Sequence, residues 1–174
     1  MFNQIGWLAC GLVFGLGGIG SSLGILAVGQ AAAAAWANEG KSGRNLSFQY
    51  VLMIGAPLSQ TLYAMIIMNS LNSNYLEVIK AGRMSSSFSL LMLGMALGGG
   101  LIEFFSAWYQ GIIGAAGVRC MNENGGKGFG HIIISLGIIE AVGIFGAIFS
   151  SALLTNARGS ILAMETVGAA LGTK

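Results

Sequence analysis

The sequence predicts an all-α membrane protein with four transmembrane helices, arranged as two tandem parallel-repeat hairpins. The first reason is composition, because 55% apolar and 8% charged residues do not describe a soluble domain. A mean hydropathy of +0.77 agrees with this. The second reason is that the charges are confined to short segments, and the third is an internal duplication. The formal net charge of +2 is too small to imply nucleic acid as a partner.

Four long segments are almost free of charge. Two of them, residues 1–38 and 45–76, contain no Asp, Glu, Lys or Arg, and the other two, 84–118 and 128–157, contain one carboxylate each. Each segment is longer than the roughly 20 residues that a helix needs to cross a bilayer. We therefore expect transmembrane helices at about 5–37, 48–69, 87–118 and 131–154.

These helices are expected to pair into hairpins. The first hairpin covers residues 1–84 and the second covers 85–155. A C-terminal extension at 156–174 either continues the fourth helix or lies at the membrane interface. Polar loops are expected at 38–47, 71–84 and 119–130.

The two hairpins resemble copies of each other. Residues 29–35 (GQAAAAA) and 111–117 (GIIGAAG) occupy matching places about 82 residues apart, and the polar loops that follow them also correspond. Because the copies are parallel, both hairpin loops should lie on one side of the membrane. Both termini and the middle loop should lie on the other side.

The first and third helices are rich in glycine, which lets helices approach closely in lipid. Ser21, Ser22 and Gln30 of the first helix are expected to hydrogen-bond to their own helix. The same helix should pack through small residues that recur every four or five positions, at Gly11, Gly15, Gly20 and Gly24.

The second helix contains the only proline of the chain, in the run GAPLSQTLY. Proline cannot donate a backbone hydrogen bond, so we expect the helix to loosen at Pro57 and to leave carbonyls of residues 53–56 free to accept or coordinate. Ser59 and Gln60 precede Tyr63 by four and three residues and therefore share its face.

The fourth helix carries a single carboxylate, Glu140, near its middle. An ionised carboxylate in hydrocarbon is costly, so we expect it to be paired, protonated or loaded with a cation. Gln110 and Glu140 each lie 15 residues from a turn near Gly125, which is about 22 Å along a helix, and Gln60 lies within about one turn of that level. Carboxylate, amide and hydroxyl oxygens favour a hard cation over a transition metal.

The chain resembles the proteolipid of the rotor ring of a V/A-type rotary ATPase, called subunit K, over about residues 5–155. The resemblance implies a non-enzymatic protein that forms a ring of identical copies in lipid, with spans one and three inside, and turns against a stator membrane protein of the a/I type. Loops 38–47 and 119–130 would meet central-stalk subunits in the cytoplasm of a prokaryotic cell. The resemblance rests on the doubled hairpin and on Pro57, Leu58, Ser59, Gln60, Tyr63, Gln110 and Glu140.

The resemblance also implies a set of ligands for transported Na⁺. No organic cofactor is implied. We prefer Na⁺ to H⁺ as the transported ion, because a proton needs only the carboxylate whereas the neutral oxygens suit sodium. The implied ligands are the backbone carbonyl of Ala56 and the side chains of Ser59, Gln60, Gln110 and Glu140, with Tyr63 hydrogen-bonded to Glu140.

Alternatives to this interpretation remain open. The polar side chains could serve only as hydrogen bonds between helices, although Glu140 at their depth argues against this. Glu103 is interpreted as a protonated or water-facing acid of the ring interior rather than a second transport site. A small secondary transporter would usually have inverted repeats, and a structural pore or junction protein has no need for a buried carboxylate among neutral oxygens.

Overall fold

The computed structural model describes the backbone of residues 2–170 and the side chains of residues 6–163. Four stretches of the described residues are long and apolar enough to cross a membrane, as predicted. The second of these stretches combines two helices and the turn between them. The elements are α1 Phe2–Lys41, α2 Gln49–Gly55, a 3₁₀ turn Ala56–Leu58, α3 Ser59–Lys80, α4 Ser86–Glu123 and α5 Phe129–Ala170.

The helices are longer than the sequence predicted. The predicted loops at 38–47, 71–84 and 119–130 are partly wrong, because the helices continue to Lys41, Lys80 and Glu123. A helix satisfies its own backbone hydrogen bonds, so the loss of apolar residues at the membrane surface does not end it. The extension from residue 156 is helical as far as Ala170, and residues 171–174 lie outside the described part.

Glycines follow the ends of three long helices, α1, α3 and α4. Gly43 and Gly82 have φ angles of +66° and +69°, which residues with a side chain rarely adopt. In each case the next N–H bonds to the carbonyl five residues back, at 2.9 Å for Arg44 and 3.0 Å for Arg83. These are Schellman ends, and they explain why the chain turns there and not where hydropathy falls.

Helix α1 packs most extensively on α4, and the contact is made by glycines. A Cβ added at Gly111 would overlap the backbone of Gly24, and one at Gly20 would overlap that of Phe104. By contrast, Gly11 and Gly15 have no neighbouring atom within 4 Å of such a Cβ. Only half of the predicted small-residue face therefore packs within the chain.

Polar contacts show which loops share a side of the bundle. The Arg44 guanidinium donates to Asn122 Oδ1 at 3.0 Å, which joins the loop after α1 to the end of α4. At the other end, Arg158 of α5 pairs with Glu77 of α3 at 2.7 Å. Both hairpin loops lie on one side and the end of α3 lies on the other, which is the arrangement expected of a parallel duplication.

Candidate cation-binding site

The second span is interrupted at Pro57, where the α-helix tightens into the 3₁₀ turn. The Ala56 carbonyl accepts the backbone N–H of Ser59, and the Pro57 carbonyl accepts the Ser21 hydroxyl of α1 at 2.6 Å. The predicted interruption is present, but the Ala56 carbonyl is not without a hydrogen bond, because the tighter turn gives it the Ser59 N–H. A carbonyl has two lone pairs, so its role as a ligand stays a prediction. Ser21 also bonds across to another helix rather than to its own, whereas Ser22 bonds to its own helix as expected.

Three oxygens of the second span lie next to one another. Ser59 Oγ is 3.0 Å from the Ala56 carbonyl oxygen and 2.6 Å from Gln60 Oε1. A serine hydroxyl has one hydrogen, so it donates to only one of these two acceptors at a time. The other close oxygen pair has no hydrogen between its atoms. The two oxygens of that pair therefore face each other with their lone pairs. A cation bound by all three oxygens would offset this repulsion.

Glu140 of α5 is held by a phenol of α3. The Tyr63 hydroxyl donates to Glu140 Oε1 at 2.9 Å. Both side chains are partly buried. The contact fixes the orientation of the carboxylate near the surface that α3 and α5 present together, and it joins the two residues that sequence analysis paired.

Gln110 of α4 is fully buried, with 0% of its surface exposed. Its Nε2 donates to the Leu136 carbonyl at 3.4 Å, one turn before Glu140 on α5. Its Oε1 has no hydrogen-bond partner, and a buried acceptor left unpaired costs about 1–3 kcal/mol. Gln110 therefore lies near the level of Glu140 and offers a free oxygen, without a hydrogen bond to the other predicted ligands.

Ser106 of α4 is a residue that sequence analysis missed. Its Oγ accepts a hydrogen bond from Gln60 Nε2 at 2.9 Å and donates to the Ile139 carbonyl at 2.9 Å. One hydroxyl thus joins α3, α4 and α5 next to Glu140. Ser106 lies four residues before Gln110, on the same helix face, and that spacing could have identified it.

Glu103 lies in the interior of the bundle rather than at a water-facing surface. It is 0% exposed, and neither carboxyl oxygen has a hydrogen-bond partner. Of the two states predicted for Glu103, the water-facing acid is wrong for the chain, because α4 turns this face towards α3 and α5, and the protonated acid stays a prediction. Glu103 and Gln110 do share a buried face, as their seven-residue spacing suggests.

The kinds of oxygen atom that the predicted ligands carry suit a monovalent hard cation. Glu140 supplies a negative charge, and the neutral oxygens come from a hydroxyl, two amides and a backbone carbonyl. Gln60 uses its amide nitrogen for Ser106, so its oxygen is directed to Ser59. Oxygen ligands of this kind suit sodium rather than a soft transition metal.

Part of the chain is similar to a known protein family. Residues 93–153 match the family model of the ATP synthase C subunit, and these residues make up about a third of the chain. The match covers most of α4 and the membrane part of α5, including Gln110 and Glu140. No curated protein matches the chain. Members of that family are non-catalytic, ring-forming membrane proteolipids, and residues 93–153 of this chain are similar to them.

Proposed function

We propose that the chain is the ion-carrying rotor-ring proteolipid of a V/A-type ATPase, equivalent to subunit K. Each copy carries one Na⁺ while the ring turns against the stator. Na⁺ is the transported substrate and not a resident cofactor. The proposed ligands are Glu140, Gln110, Gln60, Ser59 and the Ala56 carbonyl, with Tyr63 hydrogen-bonded to Glu140.

The observation that carries this proposal is the group of three second-span oxygens at Ala56, Ser59 and Gln60, separated by 2.6 and 3.0 Å with one hydrogen between them. The unpaired Oε1 of Gln110 supports it, because a buried free acceptor suits a ligand position. A proton on Glu140 would need none of these oxygens. They therefore favour Na⁺ over H⁺.

Charge explains how such a site couples rotation to transport. A carboxylate that holds Na⁺ is close to neutral and can pass through lipid, whereas the empty carboxylate must remain near water or a basic group of the stator. One such carboxylate for every four helices lowers the number of ions moved per turn. This ratio favours a pump driven by ATP hydrolysis.

The proposed partners follow from the two sides of the bundle. The hydrogen bond between Arg44 and Asn122 joins loops 38–47 and 119–130 into one surface, which we assign to central-stalk subunits. The many apolar side chains exposed along the helices suit lipid and neighbouring copies of the chain. The proposed location is the cell membrane of a prokaryote.

Carbodiimide labelling of purified rings at neutral pH tests the sodium assignment. Na⁺ should slow the labelling of Glu140 in a concentration-dependent manner, and K⁺ at the same ionic strength should not. Absence of protection over a wide range of Na⁺ concentration would identify H⁺ as the carried ion.

Purification tests the rotor itself. We expect a large ring that copurifies with soluble ATPase subunits. A dimer that transports ions alone in liposomes would instead identify a small secondary transporter.

A further inference from the structure

The interior of the bundle holds a second carboxyl group that the proposed transport site does not use. Glu103 of α4 is 0% exposed, and both of its carboxyl oxygens lack a hydrogen-bond partner. Three other glutamates among residues 6–163 accept hydrogen bonds, and one of them is Glu140, which accepts from Tyr63. Glu39 accepts from Tyr50 and Ser47, and Glu77 accepts from Arg158.

Glycines make room for this carboxyl group. A Cβ added at Gly143 of α5 would lie 2.8 Å from Glu103 Oε2 and 3.2 Å from Gln60 Nε2. One added at Gly146 would lie 3.5 Å from Glu103 Oε1. Gly17 of α1 lies against the Cβ of Glu103. The carboxyl group therefore occupies a compartment bounded by α1, α3 and α5, next to the amide of Gln60.

Among the side chains of residues 6–163, no cation lies near this compartment. Residues 1–38 of α1 carry no charge, and the next charged residue of α4 after Glu103 is Arg119, about 24 Å further along the helix. The titratable groups that face this level from the other helices are Glu140 of α5 and Tyr63 of α3, which bond to each other. They could add only negative charge.

An ionised Glu103 would thus be a buried carboxylate without a counter-ion or a donor, which is strongly unfavourable in a membrane protein. A proton needs no further ligand. We propose that Glu103 is a resident proton-binding site, distinct from the cation site at Glu140.

Gln60 separates the two sites. Its Oε1 accepts from Ser59, and its Nε2 donates to Ser106 and lies, like Glu103 Oε2, close to Gly143. If Glu103 is neutral, Glu140 is the carboxyl group whose charge changes when the ion binds or leaves. Glu103 keeps its proton while the ring turns, whether Glu140 carries Na⁺ or H⁺.

Infrared spectroscopy of the purified full-length chain with isotopically labelled glutamate tests the proposal. We expect a carboxylic-acid carbonyl band at neutral pH that is unchanged by Na⁺. The band should be lost in Glu103→Gln and retained in Glu140→Gln, which is the matched control. Glu103→Gln should also assemble normally, because an amide closely resembles a protonated acid in shape and charge.

Two results would overturn the proposal. One is the absence of such a band from the Glu140→Gln protein. That protein still contains Glu103, so this result is decisive even if Glu103→Gln does not fold. The other is a Glu103 band that disappears when Na⁺ is added, which would make Glu103 a cation ligand. Failure of Na⁺ to protect Glu140 from carbodiimide would reject the sodium transport site without affecting this band.

Discussion

The two carboxyl groups of the membrane interior have opposite surroundings. Glu140 is partly exposed, accepts a hydrogen bond from Tyr63 and lies one turn after Leu136, whose carbonyl accepts from Gln110, a residue with an unpaired side-chain oxygen. Glu103 is fully buried with no donor and with glycines around it. The same side chain can therefore serve two purposes in one bundle. We propose that access and hydrogen-bond partners decide which of the two acids exchanges a cation and which keeps a proton.

The largest expected difference between the two groups is in transport. Glu140→Gln should reduce ATP-driven Na⁺ uptake by the reconstituted holocomplex by at least about 100-fold, because loss of the carboxylate removes the charge that binds the ion. Glu103→Gln should change uptake by less than about twofold. A Glu103→Gln protein that assembles but does not transport would remove the distinction between the two acids.

Gln110 should matter next, because its free oxygen is proposed as a ligand. Gln110→Leu should raise the Na⁺ concentration that protects Glu140 by about 30-fold. This factor corresponds to about 2 kcal/mol, which is typical of a hydrogen bond to a charged group. It should also raise the stability of the ion-free protein, since an unpaired buried acceptor is removed. Ser151→Ala is the control, because it removes an unpaired buried oxygen from α5, eleven residues after Glu140. Equal Na⁺ affinities in the two variants would contradict the ligand role.

The phenol of Tyr63 allows a matched comparison within the chain. Tyr63→Phe should reduce Na⁺ affinity by about tenfold, because a hydrogen bond to a charged group is worth about 1.5–3 kcal/mol. Tyr50→Phe removes the corresponding bond to Glu39, also 2.9 Å long, at the loop end of the bundle. That variant should leave Na⁺ affinity unchanged. The measurement is the Na⁺ concentration that halves carbodiimide labelling, and the same shift in both variants would indicate a general effect on folding.

The smallest expected effect concerns the glycine between the two acids. Gly143→Ala places a methyl group against Glu103 and Gln60, so it should displace the Gln60 amide and weaken Na⁺ binding by about threefold. Gly137→Ala on the same helix meets no atom within 4 Å. It should leave Na⁺ binding unchanged and stabilise the helix by up to about 1 kcal/mol. The same Na⁺ titration checks both, and weaker binding in Gly137→Ala would contradict the local explanation.

The spans and their pairing could be predicted because they depend on composition and period. Charge-free segments locate helices in lipid, where every backbone group must be satisfied internally. The ends of the helices could not be located in this way. They depend on turn glycines such as Gly43 and Gly82, whose hydrogen bonds override the fall in hydropathy.

The candidate site was predictable where residues on one helix act together, and less so where helices meet. The spacing of Ser59, Gln60 and Tyr63 predicted a shared face, and depth predicted that Gln110 lies near the level of Glu140. Rotation of each helix about its axis decided the rest. It turned Ser21 towards the Pro57 carbonyl and Glu103 into the bundle, and a count of residues along the chain cannot determine that rotation.

Sodium binding to the purified ring at equilibrium, measured with radioactive sodium, tests the central claim most directly. The account predicts one Na⁺ per chain in the wild-type protein and in Glu103→Gln, and none in Glu140→Gln. Two Na⁺ per chain, or loss of binding in an assembled Glu103→Gln ring, would contradict it.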